Sequence, residues 1–368
     1  MKYRTALDAL TAYRPGPPLA AIKERYGLER VAKLASNECP EGPFPEVLAA
    51  MREALPELNR YPDGGCVDLK AVVAGRTGLA ENQLVFGNGS CELLMLIGRA
   101  VLGAGGHMIF ARPSFVVYES IARVEEARYD AVPLRAHAHD LEAMLEAVTP
   151  ETRLVIVCNP NNPTGTFLGA SQLREFVRAV PSETVIVLDE AYIEYVNDPG
   201  LLDTVPWLSE HENLIILRTF SKIYGLAGMR VGYGMAHPGF IEVLDKVRQP
   251  FNVTTLAQVA AGTAMRLPER VAERRAHVVR ERARVTGALE DLGIRTVPSQ
   301  ANFVLLDIEG LAVPGKEVPQ ALLERGVMTR SGYAMGCPGW LRVTIGSTDE
   351  NDLFLSVLEE VAAGRSRS

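Results

Sequence analysis

The chain has 368 residues, of which 47% are hydrophobic and 23% are charged, a composition that excludes a fibrous or intrinsically disordered protein. Its length exceeds the range of about 100–200 residues usual for one domain, so we expect two lobes. The net charge is −7 and the only basic block is a short tail at 365–367. We therefore expect small-molecule substrates and neither a nucleic-acid nor a membrane partner.

Location and metal binding are constrained by what the sequence lacks. No uncharged apolar run approaches the roughly 18–20 residues of a membrane span, and residues 1–5 lack the apolar segment of a signal peptide, so we expect a cytoplasmic protein. The cluster at 137–140 (HAHD) has no further ligands nearby, so we interpret it as a solvated loop and predict no metal site. Five cysteines, odd in number and never spaced C-x-x-C, are predicted to be reduced thiols: Cys39, Cys66, Cys91, Cys158 and Cys337.

Residues 1–38 are predicted to form an N-terminal arm. The segment 15–18 (PGPP) prevents a continuous helix, because proline fixes its own φ and lacks an N–H. We expect a loop-rich arm that lies across the body and is placed to reach a second subunit.

Residues 39–265 are predicted to form a large α/β domain. Unbroken apolar runs at 107–110, 154–157, 185–188 and 214–217 alternate with helical patterns. Runs without polar alternation indicate strands covered on both faces, which is typical of a mostly parallel sheet flanked by helices. Residues 266–368 follow as a smaller α+β domain. Its predicted elements are a charged amphipathic helix from 268 to about 292, a strand at 302–306, a helix near 316–325 and a strand at 341–345.

Three of the apolar runs end in polar segments: 159–165 (NPNNPTG), 189–192 (DEAY) and 219–230 (TFSKIYGLAGMR). Ligands of open α/β sheets bind at the carboxyl ends of the strands, so these segments point to one site. Lys222 directly follows a buried strand, where loss of water lowers the pKa of an amine and favours a Schiff base. Arg230 is a fixed cation suited to a phosphate anion.

The pattern S-K-x-x-G-L-A-G-x-R at 221–230, preceded by N-N-P-T-G and D-E-A-Y, resembles pyridoxal-phosphate enzymes of the aspartate-aminotransferase fold, over nearly the whole chain. More narrowly, the segments 13–16, 34–38, 59–63 and 341–346 resemble histidinol-phosphate aminotransferases. The resemblance implies fold type I, a mostly parallel sheet with a smaller α+β domain. It also implies pyridoxal 5'-phosphate as cofactor and a homodimer with shared active sites.

The resemblance further implies the residues that hold the cofactor ring. Lys222 would carry it as a Schiff base, and Asp189 would form a salt bridge with the pyridine nitrogen. Tyr192 and Asn162 would hydrogen-bond the ring oxygen, and Phe115 would stack on the ring. For Asp189 the alternative is a helix N-cap, and for Asn162 an ordinary turn residue.

The cofactor phosphate is expected to bind seven residues, namely Gly89, Ser90, Cys91, Thr219, Ser221, Arg230 and Tyr61. The first three lie at a predicted helix start, where unpaired N–H groups favour an anion. The resemblance has Tyr61 reach in from the neighbouring subunit, with a plain surface aromatic as the alternative. Cys91 remains open between a phosphate contact and inert packing.

Substrate binding is assigned to the arm and the small domain. The planar fork of Arg342 can bind a carboxylate or a phosphate, which a transaminase with two substrates requires at one subsite. The resemblance adds Arg330 for the substrate phosphate, with a surface charge as the alternative. It places four further residues in the substrate pocket: Tyr13, Asn37, Asn162 and Asn302.

The expected reaction moves an amino group from histidinol phosphate to 2-oxoglutarate, giving imidazole acetol phosphate and glutamate in histidine biosynthesis. Lys222 would serve as the base that moves the substrate proton. Segment 331–338 departs from the family's arrangement and leaves the amine donor open. Aromatic amino-acid transamination and threonine-phosphate decarboxylation are the alternatives. A DNA-binding regulator is disfavoured, because residues 1–38 are neither basic nor helix-turn-helix in pattern.

Overall fold

The computed structural model describes residues 4–10 and 16–365. Within these ranges the α-helices are α1 Leu19–Tyr26, α2 Pro45–Ala54, α3 Val67–Thr77, α4 Ser90–Val101, α5 Val117–Val124, α6 Leu141–Glu146, α7 Ala170–Ala179, α8 Pro238–Val247, α9 Thr255–Met265, α10 Pro268–Asp291, α11 Val318–Glu324 and α12 Thr348–Ala362. The strands are β1 Ala32–Lys33, β2 Leu84–Gly87, β3 His107–Arg112, β4 Arg128–Pro133, β5 Thr152–Cys158, β6 Val185–Asp189, β7 Leu214–Thr219, β8 Gly232–Ala236, β9 Thr296–Val297, β10 Phe303–Asp307, β11 Val327–Met328, β12 Arg330–Ser331 and β13 Trp340–Thr344.

A seven-stranded sheet forms the centre of the larger lobe, in the order β2-β8-β7-β6-β5-β3-β4. The five strands from β7 to β4 run parallel, whereas β8 is antiparallel to both of its neighbours. The four apolar runs are confirmed as strands β3, β5, β6 and β7. The predicted fold class, a mostly parallel α/β sheet flanked by helices, is therefore confirmed.

The packing on the two faces of the sheet explains why the sequences of these strands are unbroken apolar runs. Along β5, Leu154 and Ile156 pack into one buried cluster, whereas Val155 and Val157 pack into another on the opposite face. All four side chains are fully buried. Because both faces of the sheet are covered, no position in the centre of the strand is left for a polar residue.

The smaller lobe contains a four-stranded antiparallel sheet, in the order β12-β13-β10-β9. The long helix α10 connects the lobes through the side chains of buried Arg282 and half-buried Arg275. Arg282 donates a hydrogen bond to the Ala301 carbonyl oxygen at 2.8 Å and another to Asn197 Oδ1, and Arg275 donates to the Val196 carbonyl oxygen. The bonds to Val196 and Asn197 tie the helix to a loop of the larger lobe, whereas the bond to Ala301 lies within the smaller lobe.

The N-terminal arm contains more regular structure than its proline-rich sequence predicts. Helix α1 begins at Leu19, directly after Pro18, because a proline does not obstruct the start of a helix. Strand β1 pairs in parallel with β11 of the smaller lobe, so the arm is joined to that lobe by main-chain hydrogen bonds. The domain boundaries 1–38, 39–265 and 266–368 stay predictions.

The interpretation of 137–140 as a solvated loop is wrong for one of its residues. His139 is only 6% exposed, and burial lowers the pKa of its imidazole to about 4.

The five cysteines are free thiols, as predicted. Across residues 4–10 and 16–365 there is no cluster of three or more His, Cys, Asp or Glu side chains placed to hold a metal ion. No helix in these ranges is both long and apolar enough to span a bilayer.

Candidate active site

A cavity of about 390 Å³ lies at the carboxyl ends of three neighbouring strands, with Cys158 of β5, Asp189 of β6 and Thr219 of β7 in its wall. The smaller lobe contributes Arg330 and Arg342, so the cavity lies between the lobes. Thirteen of the residues predicted for the site line it: Asn37, Ser90, Cys91, Phe115, Asn162, Asp189, Tyr192, Thr219, Ser221, Lys222, Arg230, Arg330 and Arg342.

Lys222 follows β7 and directs its amine into this cavity. Nζ donates a hydrogen bond to the Ser36 carbonyl oxygen at 3.3 Å and lies 5.6 Å from the centre of the Tyr192 ring. Burial, and next the positive charge of Arg342, lower the pKa of the amine to about 8. A substantial fraction of the amine is therefore neutral, and hence nucleophilic, close to physiological pH.

Asp189 ends β6, and its side chain is held by two donors. Oδ2 accepts a hydrogen bond from the Tyr118 hydroxyl at 2.8 Å, and Oδ1 accepts one from the Ala191 main-chain N–H at 3.2 Å. Burial raises the pKa of the carboxyl to about 6. The alternative interpretation as a helix N-cap is not supported, because the short 3-10 turn that follows has Tyr192 at that position.

Polar side chains from both lobes are joined on the opposite wall. Asn37 Nδ2 donates to the Tyr192 hydroxyl at 3.0 Å. Arg342 donates from Nη1 to Asn162 Oδ1 and from Nη2 to the Ala35 carbonyl oxygen at 2.8 Å. Arg342 is 7% exposed, so its cationic fork is fixed in direction before any ligand arrives.

The third region of the site is suited to an anion. Ser90 begins α4, so the first main-chain N–H groups of that helix point toward the cavity wall. Arg230 donates from Nη1 to Ser221 Oγ at 3.2 Å, and Ser221 N donates to Thr219 Oγ1 at 3.1 Å. A Cβ atom at Gly89, whose φ is +80°, would lie 2.4 Å from Arg230 Nη2, so the guanidinium approaches the helix start only because residue 89 is glycine.

Two cations form one side of the cavity. Arg330 and Arg342 are directly opposite each other in the register of β12 and β13, and both line the cavity. Like charges at such positions repel, so an anion bound between them is favoured. This wall is therefore chemically suited to a carboxylate or a phosphate.

Three predicted site residues lie elsewhere in the described part of the chain. Gly89 is behind the helix start and does not line the cavity, and Asn302 is buried and donates to the Asn37 carbonyl oxygen at 3.1 Å. Tyr61 is 82% exposed and stacks on Phe251 with ring centres 4.8 Å apart, outside the cavity of its own chain. Tyr13 lies outside the described residues.

Sequence reasoning missed Tyr118 and the Ser36 carbonyl. Tyr118 lies on α5, where a tyrosine on an amphipathic helix is usually a core residue, so no sequence signal marked it. Ser36 contacts Lys222 through its main-chain carbonyl, and a main-chain contact cannot be predicted from the type of residue. Burial raises the pKa of Cys91, so this thiol stays protonated, in keeping with the packing alternative.

Replacing Lys222 with Met should stabilise the ligand-free protein at pH 7, by about 3 kcal/mol in free energy of unfolding. The amine has a pKa of about 8 in the fold against an ordinary 10.5, so below pH 8 the fold bears the cost of a buried charge. Between pH 8 and 10.5 the unfolded chain binds more protons than the folded one, so the cost falls and then disappears. Thermal unfolding should show the gap between variant and wild type closing across this window.

The control is Lys246→Met, which removes an exposed ammonium group on α8 and should leave the melting temperature nearly unchanged at every pH. A Lys222→Met protein that gains no stability at pH 7, or whose advantage grows with pH, would show that the amine is not desolvated.

Comparisons with known proteins agree over the full length of the fold. The model of the family aminotransferase class I and II matches residues 29–358. A histidinol-phosphate aminotransferase of Brevibacillus brevis is 46% identical over 352 residues, covering 96% of this chain and 96% of that protein. One of Geobacillus thermodenitrificans is 44% identical over 364 residues, covering 98% of each chain.

A solved structure gives the same picture. The crystal structure of histidinol-phosphate aminotransferase from Sinorhizobium meliloti in complex with pyridoxal-5'-phosphate superposes with a TM-score of 0.90 at 30% identity, covering 99% of this chain and 98% of that one. The similarity thus includes both lobes and every strand that borders the cavity. The chain belongs to the aminotransferase class I and II family.

Proposed function

We propose that this chain is a pyridoxal-phosphate-dependent transaminase that moves the amino group of histidinol phosphate to 2-oxoglutarate, giving imidazole acetol phosphate and glutamate in histidine biosynthesis. One observation carries the proposal: an amine of lowered pKa, Lys222, shares a cavity with the buried carboxylate of Asp189 and with two opposed arginines. The relatives that resemble the chain over its whole length bear the name of this enzyme. We further propose that the reaction takes place in the cytoplasm.

The residues present fit the cofactor at each of its ends. Lys222 would hold the aldehyde end, Asp189 the ring nitrogen, and Phe115, which lines the same cavity, would lie against the ring. The helix start at Ser90 would hold the phosphate together with Arg230, whose guanidinium fits close to it because Gly89 has no Cβ. When bound, pyridoxal 5'-phosphate supplies an aldehyde that takes up the amino group and a ring that withdraws electrons from the reacting carbon.

Lys222 is suited to move the proton of the reaction. Its Nζ has a pKa of about 8, close enough to neutrality for the amine both to accept a proton and to return it. The hydrogen bond to the Ser36 carbonyl oxygen holds Nζ on one wall, so the proton is taken and returned on the same side of the cavity. Burial excludes the water that would otherwise compete for this proton.

Asp189 is suited to hold a positive charge at the other end. It remains ionised above its pKa of about 6. It accepts two hydrogen bonds from the residues that the structure describes, and a carboxylate has acceptor positions for a third donor. Tyr192, whose hydroxyl is anchored by Asn37, would donate to an oxygen of the ring.

The two arginines would divide the substrates between them. Arg342 is fixed by Asn162 and Ala35, and would bind the charged group that both substrates share in position, a phosphate in one and a carboxylate in the other. Arg330, on the neighbouring strand, would add a second contact to the phosphate. Asn37 would complete this pocket, supported from below by Asn302.

We propose in addition a homodimer with shared sites. Tyr61 and Phe251 form an exposed stacked pair, and Leu55, Leu58 and Val67 from the same part of the chain are also exposed. Apolar side chains clustered on a surface in this way are typical of an interface. A second copy of the chain would cover them and bring Tyr61 to the phosphate region of the partner's cavity. Tyr13, which the resemblance assigns to the substrate pocket, remains a prediction.

A donor screen tests the proposed function. Purified protein with pyridoxal 5'-phosphate and 2-oxoglutarate should form glutamate fastest from histidinol phosphate. Beside its amine this donor has a phosphate for the arginine pair, which phenylalanine and tyrosine lack, and it has no carboxylate to lose as carbon dioxide, as phosphothreonine has. Phenylalanine, tyrosine and phosphothreonine are the competing donors. A faster rate with the aromatic amino acids, or release of carbon dioxide from phosphothreonine, would reject histidinol phosphate as the substrate in favour of the corresponding alternative.

Substitution of the two arginines tests how they divide the substrates. Arg342→Ala should raise KM for both histidinol phosphate and 2-oxoglutarate, by roughly 10- to 100-fold, since a charge-assisted hydrogen-bonded pair is lost. Arg330→Ala should raise KM mainly for histidinol phosphate. Arg325→Ala serves as the control, because that arginine contacts α11 and Glu360 outside the cavity. Equal losses for 2-oxoglutarate at both cavity arginines would contradict this division.

A further inference from the structure

The buried hydroxyl of Tyr118 interacts with the carboxylate of Asp189 and with the thiol of Cys158. Tyr118 lies on α5 with none of its surface exposed to solvent, and its hydroxyl donates to Asp189 Oδ2 at 2.8 Å. Asp189 lines the cavity, whereas Tyr118 does not. The tyrosine therefore approaches the carboxylate from the protein side and leaves the cavity side free for a ligand.

The hydrogen bonds of Asp189 fix its orientation. An ionised carboxylate has about four acceptor positions on its two oxygens. The Tyr118 hydroxyl takes one on Oδ2 and the Ala191 N–H takes one on Oδ1, at 3.2 Å. Because the donors bind different oxygens, they fix the plane of the carboxylate, which is directed at the cavity with acceptor capacity remaining.

We propose that Tyr118 is a positioning residue: its hydroxyl orients the Asp189 carboxylate and keeps it ionised, and thereby sets how strongly the site prefers a ligand ring that carries an N–H. This inference rests on the proposed function, because the ring in question is that of pyridoxal 5'-phosphate. It assigns to α5 a role in cofactor selection that no motif in the sequence indicates.

The charges around Asp189 show why the tyrosine matters. Burial raises the pKa of the carboxyl to about 6, and the hydrogen bond from Tyr118 is the largest influence in the opposite direction. The titratable groups that face Asp189 from the neighbouring elements are Tyr118 of α5, Cys91 of α4, Cys158 of β5, Glu190 and Tyr192 after β6, and Lys222 after β7. Among them Lys222 also favours the ionised form, whereas Glu190 opposes it. Without the tyrosine hydroxyl, the carboxyl would be neutral over more of the physiological range.

The ring of Tyr118 has separate contacts that a test can preserve. It packs edge-on against Phe115, with ring centres 5.7 Å apart, and at 6.2 Å from Phe110. Tyr118→Phe keeps the ring and removes the hydroxyl alone. The change therefore separates the hydrogen bond to Asp189 from the packing that supports the cavity wall.

A matched control exists on a neighbouring strand. The Tyr129 hydroxyl donates to Glu119 Oε1 at 2.9 Å, and its ring stacks on Phe110 at 5.5 Å. Tyr129→Phe thus also removes a hydroxyl bound to a carboxylate. Neither Tyr129 nor Glu119 lines the cavity, so this variant should bind cofactor as the wild type does.

The experiment compares two ligands on the cofactor-free protein. One is pyridoxal 5'-phosphate, and the other is its 1-deaza analogue, in which C–H replaces the ring nitrogen and no charge can be exchanged with Asp189. Dissociation constants are measured between pH 5.5 and 8.5 for wild type, Tyr118→Phe and Tyr129→Phe. The quantity of interest is the ratio of the two constants, because a general loss of structure weakens both ligands alike.

The wild type and Tyr129→Phe should prefer pyridoxal 5'-phosphate, and the preference should fall as the pH drops through about 6, where Asp189 gains its proton. In Tyr118→Phe the midpoint of this fall should move up by about one pH unit, which reduces the preference by about fivefold at pH 6, because the ionised fraction of Asp189 falls from about a half to about a tenth. Binding of the deaza analogue should be nearly unchanged. Once Asp189 is replaced in Asp189→Asn, adding Tyr118→Phe should reduce the preference no further.

The results separate the two proposals. A wild type that does not bind pyridoxal 5'-phosphate overturns the proposed function and this inference with it. A wild type that binds and prefers it, while Tyr118→Phe retains the full preference and the same midpoint, overturns the inference alone. Equal weakening of both ligands in Tyr118→Phe, or a further loss in the Asp189→Asn background, also overturns it, because each shows that the tyrosine acts through packing.

Discussion

Burial at one edge of the central sheet removes water from both Asp189 and Lys222, and the chemistry of the cavity depends on this desolvation. Asp189 is the last residue of β6, and Lys222 lies in the turn that follows the neighbouring parallel strand β7. Burial raises the pKa of the acid to about 6 and lowers that of the amine to about 8, so both titrate near neutral pH. In water at neutral pH the same two groups would be fully charged, and the amine would be too fully protonated to act as a nucleophile or base.

The smaller lobe supplies the pair of cations that the central sheet does not provide. The carboxyl ends of parallel strands gather an acid, an amine and a helix start, but they offer no opposed pair of cations. The antiparallel pairing of β12 with β13 places Arg330 and Arg342 side by side and turns both toward the cavity. The arginine contacts of α10 join the lobes, and so hold the two halves of the site in one geometry.

The sequence predicted best those parts of the site where a residue type and a strand end coincide. Lys222 and Asp189 follow long apolar runs, so their position at the sheet edge and their desolvation could be inferred together. The opposition of Arg330 to Arg342 could not, because it depends on a register between short strands. The role of Tyr118 could not be predicted, because its partner Asp189 is 71 residues away in the chain and the two meet only in the folded protein.

Where the structure differs from or adds to the sequence interpretation, the reasons are equally specific. His139 stands in a polar segment but is buried, since the loop folds back onto the body instead of extending into water. Helix α1 begins directly after Pro18, because a proline permits a helix to start after it. Asn302 was assigned to the substrate, yet the hydrogen bond that its side chain donates goes to the main chain of Asn37, so any effect on substrate is transmitted through that loop.

The most direct measurement is to load the protein with pyridoxal 5'-phosphate, reduce it with tritiated borohydride and locate the label by peptide mapping. A visible absorption band that disappears on reduction, with the label recovered at Lys222, is the expected result. Label on any other lysine, or a protein that stays colourless with the cofactor present, would contradict the assignment of this amine as the group that holds the cofactor.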